Sequence, residues 1–122
     1  MPGFNNDGKA VMLGALRTAI THISLHSSSP STTGANEVTG GDPAYARVAV
    51  TATDWTAVDA GAFELDADQP FSGPASGNCT HFGIWGSGPT FYGGGAITGD
   101  TTFNAEGDFI LKAGTSIDLN AT

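Results

Sequence analysis

Apolar and polar residues alternate on either side of a long polar stretch between Thr21 and Val50. Ile23 and Leu25 alternate with His22, Ser24 and His26, and Val48 and Val50 alternate with Arg47, Ala49 and Thr51. A period of two is that of a strand with one buried face, because successive side chains leave opposite sides of the pleat. The loop between the runs, Ser27 to Gly41, is too long and polar for a tight hairpin, and such loops commonly carry contacts. Two strands holding this loop out toward a partner is the expectation. Upstream, Met12, Leu13, Leu16 and Ile20 recur at helical spacing, predicting an amphipathic helix over Lys9 to Ala19 with Asn6 or Asp7 as its cap.

Beyond the loop the pattern stays β-like. Phe63 and Leu65 alternate with Ala62 and Glu64, and Phe82 and Ile84 alternate with His81, Gly83 and Trp85. Phe91-Tyr92, Thr101 to Asn104, Asp108 to Ala113 and Ser116 to Leu119 are further short candidates. Turn signals separate them: Asp68-Gln69-Pro70, Ser72-Gly73-Pro74, Gly86 to Pro89, Gly93 to Gly95, Gly99-Asp100, Glu106-Gly107 and Ala113-Gly114. With no helices left for parallel crossovers, the fold class is all-β: a jelly-roll-like antiparallel β-sandwich with one short N-terminal helix and a flexible N-terminal arm. Residues 1–8 form the arm and residues 9–122 a single domain.

Composition narrows the functions. Twelve acidic against four basic residues give a formal charge of −8, which favours solubility and repels phosphate backbones, so nucleic acid is not an expected partner. No apolar run reaches the ~20 residues of a membrane span, and the start lacks the charged leader and apolar stretch of a signal peptide. Synthesis in the host cytoplasm and no membrane contact are expected. The single Cys79 has no partner for an intramolecular disulfide and reads as a small, partly buried side chain.

Candidate chemistry is sparse. His22 and His26 lie roughly 13 Å apart on a strand, too far to share an ion, although His81 can approach one of them across a sheet. Asp66 and Asp68 flank Ala67 without the remaining ligands of a calcium loop, so turn-forming carboxylates are the better reading. Gly86-Ser87-Gly88 does not meet the nucleophile-elbow pattern, and Gly93 to Gly95 lacks the ending of a phosphate loop. No catalytic residue, metal ligand or cofactor is assigned. Trp55, Trp85, Phe91 and Tyr92 suit either a core or an aromatic platform for sugars or proteins. Trp85 alternates against Phe82 and Ile84, which places it facing out as a subunit-contact candidate if those two are core.

The pieces ALRTAI (Ala15 to Ile20), THISLH (Thr21 to His26), TTGANEVTGG (Thr32 to Gly41), PAYARVAV (Pro43 to Val50) and THFGIW (Thr80 to Trp85) together resemble small structural proteins of tailed bacteriophages. Such proteins are described as head decoration or tail fibre components, so the resemblance implies a virion role without catalysis. The first expectation is a capsid decoration, or cement, protein in homotrimers on the capsid exterior, with the major capsid protein as partner. A tail fibre or minor tail protein meeting a host receptor is the alternative, and a carbohydrate-binding module is a third. Contact candidates are Pro2 and Phe4 in the arm and Met12 and Leu16 on the helix. Asn36 and Glu37 in the loop, and Trp85 and Tyr92 among the aromatics, complete the set.

Overall fold

A computed structural model of the chain describes residues 5–118; Pro2 and Phe4 lie outside them. Helix α1 spans Asn6–Ala19, beginning before the expected Lys9 because Asn5 caps it in place of Asn6 or Asp7. The Asn5 side chain accepts from the Gly8 amide at 2.8 Å, satisfying one of the free N–H groups at the helix start. Asp7 in the first turn and Arg17 in the last complement the helix dipole. At Ile20 the backbone becomes extended, and this side chain is buried in the core.

Eight strands follow: β1 (His22–His26), β2 (Val48–Ala49), β3 (Ala62–Glu64), β4 (Gln69–Ser72), β5 (His81–Gly86), β6 (Thr90–Ala96), β7 (Asp108–Leu111) and β8 (Ser116–Asp118). All their pairings are antiparallel. A four-stranded sheet runs β2-β1-β5-β6, and β3-β8 and β4-β7 form two-stranded ribbons. The all-β, sandwich-like class read from the pattern is therefore the observed one. Strands β1 and β5 are paired from His22 against Trp85 to His26 against His81.

One face of the sheet carries Ile23, Leu25, Phe82 and Ile84, which join a single apolar cluster with Leu13 and Ile20 of the helix end. Trp55, Phe63, Leu65, Phe71, Phe103, Phe109 and Leu111 supply the opposing layer. Trp55 meets Phe63 edge-on with ring centroids 5.2 Å apart, a favoured aromatic geometry. Arg17 turns inward and donates to the carbonyls of Trp55 and Thr56, each at 2.8 Å. It thereby closes the helix onto the strip leading to β3.

Three local expectations are corrected. Gln69–Ser72 forms β4 although both its ends looked like turns: Phe71 is buried opposite Phe109, and core burial overrides the turn signal. Gly93 to Gly95 belongs to β6, not to a turn. Thr101 to Asn104 contributes only an isolated bridge, Asn78 with Thr102, flanked by bonds from the Cys79 amide to Thr101 O and from the Phe103 amide to Gly77 O. Asp100 accepts from the Thr102 amide and hydroxyl, and Asn104 accepts from the amides of Glu106 and Asp108.

Leu25, fully buried in the central strand, tests the assignment of the core. Leu25→Ala is expected to cost about 2–5 kcal/mol, read as a lower urea midpoint with an unchanged slope.

Candidate functional site

The second face of the sheet is also covered, contrary to the half-buried β1 expected from alternation. Ile23, Ser24, Leu25 and His26 are all buried, and the cover is the Ser27 to Gly41 loop itself. The loop does not project. The Ser27 amide donates to Asn36 O, the Val38 amide donates to Leu25 O, and Gly34 and Ala35 both donate to Pro30 O. Gly34, at φ +78°, sits so close to Trp85 that an added Cβ would lie 2.7 Å from its ring. Glycine is thus required there both by backbone conformation and by the close approach.

Under the loop a chain of hydrogen bonds fixes three side chains that share this face. The Trp85 indole N–H donates to Ser24 Oγ at 2.8 Å. Ser24 Oγ lies 2.6 Å from His26 Nε2, and His26 Nδ1 lies 2.7 Å from the Ala35 carbonyl. A carbonyl only accepts, so Nδ1 carries the proton and Nε2 accepts from the Ser24 hydroxyl. Every group is then satisfied with His26 neutral. Trp85 is only 8% exposed, so it does not face out as a contact residue. Its ring is tilted against Phe91 at 4.9 Å between centroids.

The rim of this face is electrostatic. The Arg47 guanidinium carbon stands 3.6 Å from the centre of the Trp85 ring, a cation–π geometry. Arg47 grips Glu37 with two bonds, Nε at 2.9 Å and Nη2 at 2.8 Å. The Tyr45 hydroxyl donates to Glu37 at 2.8 Å and accepts from the Leu25 amide at 2.9 Å. That amide lies beyond the reach of two-residue β2, so a side chain does the work of a missing strand partner. Burial alone would raise the Glu37 pKa, but the bonds from Arg47 and Tyr45 outweigh it and hold the carboxyl below its usual range. Burial raises the Tyr45 phenol and pushes the Cys79 thiol up to about 12.

Beside Arg47 opens a groove of about 550 Å³ lined by Thr21, His22, Trp85 and the turn from Gly86 to Pro89. It offers a guanidinium edge, an imidazole and hydroxyls, a set suited to polar contacts. The Ser24 and His26 pair has the spacing of a nucleophile and base, yet both residues are 0% exposed. Gly83 and Phe91 close over them, so the pair is structural. His81 is the cross-strand partner of His26, as the sheet reading allowed. Among the described residues no three His, Cys, Asp or Glu side chains gather to hold a metal ion. Asp68 instead accepts from the Ala113 amide at 2.8 Å, a bond between segments 45 residues apart and not within its own turn.

The other contact candidates are scattered. Tyr92 is 43% and Met12 37% exposed, Asn36 is exposed and Leu16 is half-buried against the core. Arg47 joins Glu37 to Trp85; it was missed as a site residue, as were Ser24 and Tyr45. For Ser24 a signal existed, since residues two apart on a strand share a face.

A family model described as podophage GP4 fiber I protein gp80 matches residues 11–117. The chain belongs to this family. It is accordingly a structural protein of a tailed-phage virion, and the expected virion role stands. No curated protein and no solved structure matches the chain. Among the described residues of this family member, no helix is long and apolar enough to cross a membrane.

Two measurements test the buried face. Ser24→Ala strands the Trp85 N–H and His26 Nε2 in an apolar setting, costing about 1–3 kcal/mol, with faster amide exchange at Ser27 and Val38. Stability also depends on pH. Burial lowers the pKa of His26 below the ordinary 6.5, so below that pH the unfolded chain takes up the proton first and stability falls. A second fall begins below the ordinary Glu37 value of 4.5, where the unfolded carboxyl protonates before the folded one. Urea midpoints across this range should show both falls, and His26→Gln should remove the first while keeping the second.

Proposed function

We propose that this chain is a fibre-type component of the phage particle, acting through surface contacts and without catalysis. The observation that carries this reading is the match to a fibre-protein family over nearly the whole domain. It favours the tail fibre alternative over the cement role first expected, with its capsid-exterior location and major capsid protein partner. The site geometry agrees with such a role. The Ser24 and His26 pair is sealed, and its bonds hold the loop in place. Both faces of the central strand are buried, so the four-stranded sheet is a rigid support. Exposed Met12, Asn36 and Tyr92 are contact candidates on that support.

Quantitative mass spectrometry of purified particles, paired with antibody labelling in the electron microscope, tests the assignment. Low copy number and label on the tail are expected. Label distributed over the head, at a copy number comparable to the major capsid protein, would return the chain to the decoration role.

A further inference from the structure

The Ser27 to Gly41 loop covers the second face of the sheet but leaves one end open: His22 is exposed where the rest of β1 is buried. His22 pairs with Trp85 on β5 and with Ala49 on β2, and directly opposed residues share a face. Arg47 comes two residues before Ala49, so alternation returns it to that face. Its guanidinium stands over the Trp85 ring. With the turn from Gly86 to Pro89 as the remaining wall, these residues enclose the groove of about 550 Å³. That volume lies in the usual range of small-ligand sites, roughly 300–1,000 Å³.

The polar side chains here are oriented by the fold, with part of their bonding capacity unused. Thr21 Oγ1 donates its one hydrogen to the Trp85 carbonyl at 3.4 Å and lies 3.0 Å from His22 Nδ1. Nδ1 is therefore the donor in that second bond, which leaves Nε2 of the neutral ring as an acceptor. Among the described residues no hydrogen bond reaches Nε2. Arg47 has five N–H groups, of which Glu37 takes one from Nε and one from Nη2. The two hydrogens of Nη1 and the second of Nη2 are without a partner among the described residues. Ser87 adds an exposed side chain. The groove thus presents a donor edge and an acceptor together.

We propose that this groove binds a neutral saccharide of the host surface, with neighbouring hydroxyls accepting from Arg47 and a further hydroxyl donating to His22 Nε2. A hydroxyl both accepts and donates, so one polyhydroxylated ring meets both sides of the groove. Charge argues against an anion. Glu37 already offsets Arg47 at 2.8 Å, and the chain carries −8, so a carboxylate or phosphate gains little by approaching. An anion would also set an acceptor against the Nε2 acceptor. A peptide is the poorer match, because its recognition relies on apolar side-chain anchors and Pro89 is the one aliphatic side chain in the lining. Trp85 serves as the support of Arg47 and not as the stacking platform expected from sequence. The host origin of the saccharide rests on the fibre reading; the chemistry of the groove does not.

The test is a titration of the full chain, followed by amide NMR shifts, with the methyl glycosides of glucose, galactose, mannose and rhamnose. Glucuronate, inorganic phosphate and trialanine are titrated in parallel. At least one neutral glycoside should bind at millimolar concentration, with shifts centred on Thr21, His22 and Gly86 to Gly88. His22→Ala should weaken that binding about threefold or more, and Arg47→Lys, which keeps the charge but loses the fork, about tenfold. Spectra of the free variants check that they fold; should the lysine variant fail, exposed His22 carries the comparison. Absence of shifts with every neutral glycoside, tighter binding of glucuronate, phosphate or trialanine, or a folded His22→Ala that binds as the parent does overturns the proposal. Copy number and tail label are read on the particle, so the fibre reading can fail with saccharide binding intact, and the reverse.

Discussion

The hydrogen-bonded chain from the Trp85 indole through Ser24 and His26 to the Ala35 carbonyl allows a strand with a polar face to occupy the interior of this protein. Strand β1 presents Ile23 and Leu25 to the core, and Ser24 and His26 to the other side. Buried without partners, those two polar side chains and the indole would each cost free energy comparable to a lost hydrogen bond. Bonded in series, they are satisfied and also make the loop obligatory, because the final acceptor belongs to it. The Ser27 to Gly41 segment is ordered against the sheet because the sheet needs its Ala35 carbonyl. Arg47, Glu37 and Tyr45 close the same face from its edge.

This explains why some parts of the architecture were legible in the sequence and others were not. The helix, the pairing of β1 with the short β2, and the β5 run around Phe82 and Ile84 are written in local periodicity. Periodicity reports burial on one face; it is silent about a face covered by polar residues. Hence Trp85 was expected to point outward when it points into a second, partly polar interior. Gly34 lies in the loop expected to project, yet it allows that loop to lie on the Trp85 ring. Strand β4 was hidden for a related reason. Turn-forming Pro70 and Gly73 bracket Phe71, and only the long-range pairing with Phe109 makes the segment a strand.

The candidate site was less legible than the fold. Its members come from β1, the loop, the approach to β2 and β5, and no short motif joins them. The resemblance across ALRTAI, THISLH and PAYARVAV correctly indicated the virion. Those segments contain Leu16, Ser24, His26, Tyr45 and Arg47, whose contacts lock the helix, central strand and loop together. A motif can therefore mark a family through its architecture without marking a reaction.

Charge placement extends that architecture to the surface. Two of the four basic residues are directed inward or along the sheet rim, Arg17 to the carbonyls of Trp55 and Thr56 and Arg47 to Glu37 and Trp85. Lys112 approaches Asp68 at 3.7 Å, an exposed pair that contributes little. Most of the twelve carboxylates thus face solvent with little compensation, which disfavours phosphate-rich partners and indiscriminate association. Contacts suited to such a molecule lie where charge is sparse. The stretch from Phe82 to Gly99 supplies one such place, and the outward helix residues Ala10, Val11, Met12 and Ala15 supply another. Like-charged surfaces repel, so a net charge of −8 disfavours contacts through the acidic surface relative to those through uncharged edges.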